Sequence, residues 1–239
     1  MNDGFNLSMP SIAFSMLGAR EHYAPVVMAE KAGWLSCFIT DLWRPWGKFA
    51  APLASRFGLN SLGRFAGRYT PEIPSHKVRA LTGLGMRYKW MLARATTSAE
   101  MYSAYEFIGS RFAEVASLHL SDRDDTFFGF TSASLETVRR ATEMGLRTVV
   151  DQIDPGRTTY ETVEAEEKRF RGIVNPLPSP PETYFARIAE EWHIASAILV
   201  NSNWSRQALL RQGVPATKVF VAPLAFQSAE PGVVREPGT

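Results

Sequence analysis

Short unbroken apolar runs alternate with longer stretches whose apolar positions return every three or four residues. The first run, SIAFSM (Ser11–Met16), is followed by the small-residue turn Gly18-Ala19-Arg20. From His22 to Ala32 the spacing of Tyr23, Val26 and Val27 predicts a helix. Gly33 then stands where a helix end favours positive φ, and WLSCFIT (Trp34–Thr40) reads as a strand. The same order recurs twice. Leu135–Met144 reads as a helix, Gly145 ends it, and Arg147–Asp151 is a strand. Asn203–Gln212 reads as a helix, Gly213 ends it, and Lys218–Pro223 is a strand. Thr126–Phe130 and Ala197–Asn201 supply two more strands. Apolar strands separated by helices call for a parallel sheet covered on both faces. Right-handed crossovers make it an α/β, Rossmann-like, doubly wound sheet.

The middle of the chain is more helical. Thr97-x-x-Glu100 has the form of a capping box, and Met101, Tyr105, Ile108, Phe112 and Val115 follow as one apolar stripe, a core face. Lys77–Ala95 reads as a helix with one basic face. Thr158-x-x-Glu161 reads as the capping box of a helix over Thr159–Arg169. Residues 228–239 are rich in Pro, Gly and Glu and read as a flexible tail or interdomain linker.

Charge divides the chain. Residues 1–96 hold twelve basic and five acidic side chains, whereas residues 97–239 hold 14 and 19. Between Trp43 and Thr96 ten basic residues face one acid, Glu72. Arg64, Arg68, Lys77, Arg79, Arg87 and Lys89 are the heart of this patch, with aromatics between them. Three readings suit it: contact with an anionic membrane surface, a grip on the phosphates of RNA or of a lipid-linked or nucleotide ligand, or a basic helical insertion (43–96) whose aromatics point inward. No nucleic-acid motif accompanies the patch, so no nucleic-acid partner is expected. A single cysteine, Cys37, excludes an intrachain disulfide and fits a reducing, cytoplasmic compartment. The N-terminus has no secretory pattern, and no apolar run approaches the roughly 20 residues of a membrane span.

Neither G-x-G-x-x-G nor a P-loop follows the first strand, which disfavours nicotinamide or P-loop chemistry. The turn Gly18-Ala19-Arg20-Glu21-His22 suits an anionic group at a helix start, or is an ordinary charged rim. Asp151 and Asp154 flank the end of a strand, where open α/β sheets place their ligands; either they position a hydroxyl and act as base, or they cap a turn. Asp122-x-Asp124-Asp125 has the form of a D-x-D metal motif but precedes a strand, and no metal is expected. No Ser–His–Asp or Cys–His arrangement is visible.

The stretch Leu199–Gln227 (LVNSNWSRQALLRQGVPATKVFVAPLAFQ) carries the pattern W-S-x-x-x-L-x-x-x-G-V between two strands. It resembles the end of the N-terminal domain of family 4 glycosyltransferases of the GT-B fold. LGAREHYA, FITDLW, VVDQIDP and AEEKRF fit the same register, so the likeness covers roughly residues 11–227. It implies two Rossmann-like domains across a cleft, the first binding a glycan or lipid-linked acceptor and the second a nucleotide-diphosphate sugar as co-substrate. It implies no cofactor, since such enzymes hold the leaving diphosphate with helix dipoles and basic side chains. On this reading 1–227 is the acceptor-side domain, inactive until a separate C-terminal donor-binding domain joins it. Carried over by position, Gly18, Arg20, Glu21 and His22 line the cleft, Asp151 and Asp154 face the acceptor near the place of the family's usual histidine, which has no match in Val149–Pro155, and Asn201 and Ser202 sit at the next strand end. The basic stretch then matches the region that docks many such enzymes on the inner face of a membrane. The alternative is a non-catalytic binding or scaffolding module of the same fold.

Overall fold

The computed structural model describes residues 9–45, 68–170, 173 and 179–224. Arg64, the front half of the basic insertion (46–67) and the tail 228–239 lie outside the described residues.

Seven strands form one parallel sheet: β1 (Ile12–Met16), β2 (Leu35–Thr40), β3 (Val78–Ala80), β4 (Thr126–Phe130), β5 (Arg147–Gln152), β6 (Ala197–Val200) and β7 (Val219–Val221). Their order is β3-β2-β1-β4-β5-β6-β7, the doubly wound, Rossmann-like arrangement expected from the repeated helix–glycine–strand order. The described helices are α1 (Ala24–Lys31), α2 (Thr82–Arg94), α3 (Ser98–Ser117), α4 (Leu135–Glu143), α5 (Arg157–Arg169), α6 (Glu182–Ile194) and α7 (Asn203–Arg211).

Alternation along each strand sends side chains to both faces. On β2, Phe38 meets Tyr23 and Val26 beside α1, while its neighbour Ile39 meets Phe112 and Ala116 of α3. On β4, Phe127 joins Val138, Ile188 and Trp192, whereas Phe130 lies with Phe14 and Met16. Both faces are therefore covered, which is why these strands read as continuous apolar runs. The capping box at α3 is present with both hydrogen bonds. The core face of that helix is Ala104, Ile108, Phe112, Ala113 and Ala116; Tyr105 and Val115 sit at its rim.

Three expectations are corrected. Lys77–Ala95 is not one helix. Val78–Ala80 pairs with Phe38–Thr40, and Leu81 N–H donates to the Thr40 carbonyl at 2.7 Å, so the helix waits until Thr82. Pairing with a buried neighbour outweighs local helix propensity here. The helix expected from His22 begins at Ala24, because Pro25 fits only a first helical turn and the residues before it are left-handed. The capping box expected at Thr158 does not form. Gly156 is the N-cap of α5, and Gln212 Oε1 accepts the Arg157 N–H at 3.1 Å while its Nε2 donates to Thr158 Oγ1 at 3.1 Å.

Candidate active site

The strand order reverses between β1 and β4. In open α/β sheets the crevice at such a point, outside the carboxyl ends of the strands, is where ligands bind. Three connections meet there: 17–23 after β1, 131–134 after β4 and 153–156 after β5.

The first connection is strained. Glu21, His22 and Tyr23 have φ of 48°, 50° and 66°, three successive left-handed residues without a glycine. Each costs roughly 1–2 kcal/mol. The cost is offset by burial of the Tyr23 ring, edge-on to Phe38 at 5.7 Å and to Trp43 at 5.6 Å. Asp41, buried just after β2, accepts from Gly18 N–H at 2.9 Å and from Arg68. Held in this way, the turn presents Arg20 and His22 to solvent and leaves Glu21 half-buried.

The connection after β4 is fixed from below. Glu191 of α6 is wholly buried, and its carboxylate accepts from Ser132 N–H at 2.8 Å, Ser134 N–H at 3.1 Å and Thr131 Oγ1 at 3.3 Å. Burial pushes this carboxyl up to about 7, and the backbone donors pull the other way. Arg187, paired with Glu136, backs the same loop.

The connection after β5 carries the two aspartates. Asp154 Oδ1 accepts from Gly156 N–H at 2.7 Å. Gln152, fully buried, donates to the Asp154 carbonyl and accepts from Trp192 Nε1, both at 2.7 Å. Gly156 needs its φ of +61°, and a Cβ there would meet the Trp192 ring at 2.8 Å. Asn201 donates to the Ile153 carbonyl at 3.4 Å, tying the end of β6 to this turn.

The structure thus brings Arg20, Glu21, Asp151 and Asp154 together. Burial pushes the Asp151 carboxyl up to about 7, the Glu21 charge adds to the rise, and Arg20 opposes it. Asp154 is also raised by burial, against the Gly156 hydrogen bond and Arg20. An Asp near 7 is matched to accept a proton at neutral pH.

The rise has a cost for the fold. Asp151 titrates near 3.8 when unfolded and about 7 when folded, so its contribution is fully favourable below pH 4 and is lost as pH rises to 7. Asp151→Asn is therefore expected to stabilise the protein at pH 8, by about 1–3 kcal/mol after allowance for solvent screening of a partly exposed group, and to equal the parent near pH 4. Urea midpoints at the two pH values check this; equal gains at both would remove Asp151 as a perturbed acid.

The other sequence candidates have mixed placements. Ser202 is the N-cap of α7, accepting Ser205 N–H at 3.2 Å. Arg68 stands beside Gly18 and Asp41 instead of on an outer face. Lys77 pairs with Glu30 at 2.7 Å, Arg79 donates to the carbonyls of His76 and Val78, and Arg87 lies over Phe107 at 4.5 Å. Asp124 and Asp125 bind Ser11 at the amino ends of the strands, away from the crevice. Sequence reasoning missed Glu191; its signal is one acid inside the buried face Ile188, Trp192 and Ala195. Hollows of about 350 Å³ between α2 and α3 and about 640 Å³ between α5, α6 and α7 are lined by other residues, and Asp151 and Asp154 are each partly exposed.

No family model matches the chain, and no curated protein does. Among solved structures it is similar to a UDP-glucosyltransferase from Polygonum tinctorium, at 14% identity and a TM-score of 0.48, over 96% of this chain and 56% of that one. It is also similar to UDP-N-acetylglucosamine 2-epimerase from Rickettsia bellii, at 12% identity and 0.43, over 90% and 45%. The Neisseria meningitidis UDP-GlcNAc 2-epimerase bound to UDP-GlcNAc matches at 11% and 0.40, over 88% and 45%. The chain spans about half the length of these structures.

Proposed function

We propose that the chain is the acceptor-side lobe of a family 4, GT-B glycosyltransferase, working against a donor-binding lobe that supplies a nucleotide-diphosphate sugar. The observation that supports this most is the meeting of Asp151 and Asp154 with the charges of Arg20 and Glu21 at the carboxyl ends of the strands, beside the strand-order reversal. The choice of family 4 rests on the pattern of Leu199–Gln227 read from the sequence. In this reading residues 1–227 form the lobe, with the basic insertion at 43–96.

The chemistry follows from the geometry. An acceptor hydroxyl seated beside Asp151 attacks the anomeric carbon of the donor sugar. A C–O bond forms there, the bond from that carbon to the diphosphate oxygen breaks, and the nucleoside diphosphate leaves with the electron pair. The hydroxyl proton passes to Asp151. Asp154, held by Gly156 N–H, orients the acceptor, and Arg20 faces the departing diphosphate.

The test is transfer from radiolabelled nucleotide-diphosphate sugars, by the chain alone and by the chain joined to a donor-binding lobe. Transfer is expected only from the pair, rising with pH through about 7 and falling roughly 10²–10⁴-fold in Asp151→Asn. Transfer by the isolated chain would overturn the half-enzyme reading. A pair whose transfer ignores Asp151→Asn and Asp154→Asn would favour a binding or scaffolding module.

The same reading takes α2 to an anionic membrane. Its exposed face carries Met86 and Trp90, one turn apart, with Arg87, Lys89 and Arg94, and no acid lies in Thr82–Arg94. Arg94 stacks on Trp90 at 4.9 Å. Basic residues near such a surface contribute about 1 kcal/mol each. No described helix is long and apolar enough to cross a membrane. Co-sedimentation with phosphatidylglycerol vesicles should weaken with salt and in Trp90→Ala; equal binding to neutral vesicles would exclude the docking.

A further inference from the structure

Where α3, α5 and α6 converge, phenols cluster within reach of the Asp154 charge. α3 supplies Tyr102 and Tyr105, α5 supplies Tyr160, and α6 supplies Tyr184 and Phe185. Tyr102 meets Tyr105 at 5.7 Å and Tyr184 at 5.4 Å, while Phe185 meets Tyr160 at 5.4 Å and Tyr184 at 5.9 Å. Tyr102 bonds the hydroxyl of Tyr160, and Ser132 bonds that of Tyr184. Tyr102 is buried behind the others; Tyr105, Tyr160, Tyr184 and Phe185 each stay partly open. Burial is the first cause that pushes Tyr102, Tyr160 and Tyr184 upward, and the charge of Asp154 adds to each, as the next cause only for Tyr184; all three stay protonated, with the Tyr102 proton directed to Tyr160.

The cation on this wall is engaged. Arg157 lies over Phe185 at 4.2 Å and grips Glu182, with Nη1 to Oε1 at 2.9 Å. Arg20 is exposed at the turn after β1, and its charge reaches Asp151 and Asp154. A phosphate or carboxylate on this wall would confront Asp154. A neutral sugar ring would not: its C–H face lies on an aromatic ring, and its hydroxyls exchange hydrogen bonds with phenols and a carboxylate. We propose that the tyrosine wall of α3, α5 and α6 seats the sugar ring of a neutral acceptor, directing one ring hydroxyl toward Asp151. This rests on the transfer reading above and specifies its acceptor: the wall recognises the ring and its hydroxyls, whether the sugar is free or carried on a lipid, and not a phosphate.

Saturation-transfer NMR on the full chain tests it, with no donor present. The probes are methyl glycosides of glucose, galactose, mannose, N-acetylglucosamine and rhamnose, plus octyl β-D-glucoside and inorganic phosphate. Ring protons of at least one methyl glycoside should saturate, and phosphate should not displace it. The wall removes affinity when cut: Tyr160→Ala and Tyr184→Ala should each bind about tenfold more weakly. Tyr184→Phe should keep most of the stacking while losing a bond. Should an alanine variant fail to fold by far-UV circular dichroism, Tyr160→Phe and Tyr184→Phe carry the test, each expected to bind about threefold more weakly. The inference is overturned if no methyl glycoside binds, if octyl glucoside binds through its chain alone, if phosphate displaces the sugar, or if folded variants bind as the parent does. Sugar binding lost while the paired enzyme still transfers would sink this acceptor assignment alone. Sugar binding present without transfer in any pairing would sink the transfer reading instead.

Discussion

Glu191→Ala should unfold this protein in urea at a far lower concentration than the parent, with a loss of about 3–5 kcal/mol. The carboxylate is completely buried and takes three donors from a loop nearly sixty residues away in sequence: Ser132 N–H, Ser134 N–H and Thr131 Oγ1. Alanine leaves those donors without an acceptor in a place where water does not reach. It also removes the carboxylate whose charge Arg187 feels. Domains are stable by only about 5–15 kcal/mol, so the loss takes a large share of the total. Glu191→Gln keeps the shape and one acceptor oxygen but turns an amide N–H₂ toward a backbone N–H. About 1–3 kcal/mol should go. Urea midpoints of the two variants read this order directly, and an alanine variant within 1 kcal/mol of the parent would show that the loop does not depend on Glu191.

What could be read from the chain was local. The box Thr97–Glu100 involves residues three apart, and the glycines ending α1, α4 and α7 stand next to the helices they close. The place of Asp151 and Asp154 at and just beyond the carboxyl end of β5 was readable because the strand RTVVD ends there. The residues that failed to show themselves depend on distant partners. Glu191 looks in sequence like half of an acidic pair with Glu190, yet Glu190 faces outward to Arg139 and Glu191 points into the loop after β4. Tyr105 fits the apolar stripe of α3 by spacing, but its ring turns to Tyr88 and Tyr102 at the rim. Tyr160 and Tyr184 join it from two other helices. The left-handed run Glu21–Tyr23 has no glycine or asparagine to announce it; it exists because Tyr23 is drawn under Phe38 and Trp43. Strain of this sort, held by packing elsewhere, is a feature of sites more than of scaffolds.

Gly109→Ala should be the second severe change, and it bears on the same loop from the opposite side. Gly109 lies in the middle of α3, where alanine ordinarily favours a helix by about 1 kcal/mol. Here a Cβ would stand 2.3 Å from the carbonyl oxygen of Ser132 and 3.4 Å from its carbon. Neither is the movable end of a side chain. Ser132 is held at φ +68° with its N–H on Glu191, so the loop has no slack, and α3 is pinned by Ile108 and Phe112 in the core. One of them must move, at about 2–4 kcal/mol by comparison with other overpacked cores. Gly83, near the start of α2, has nothing within 4 Å of its Cβ position, so Gly83→Ala should be neutral or stabilise by up to about 1 kcal/mol. The pair separates helix propensity from close approach: the two glycines have the same chemistry and opposite expected signs. If Gly109→Ala melted with the parent, α3 would not rest on the loop after β4. The tyrosines it carries would then have no fixed height above Asp154.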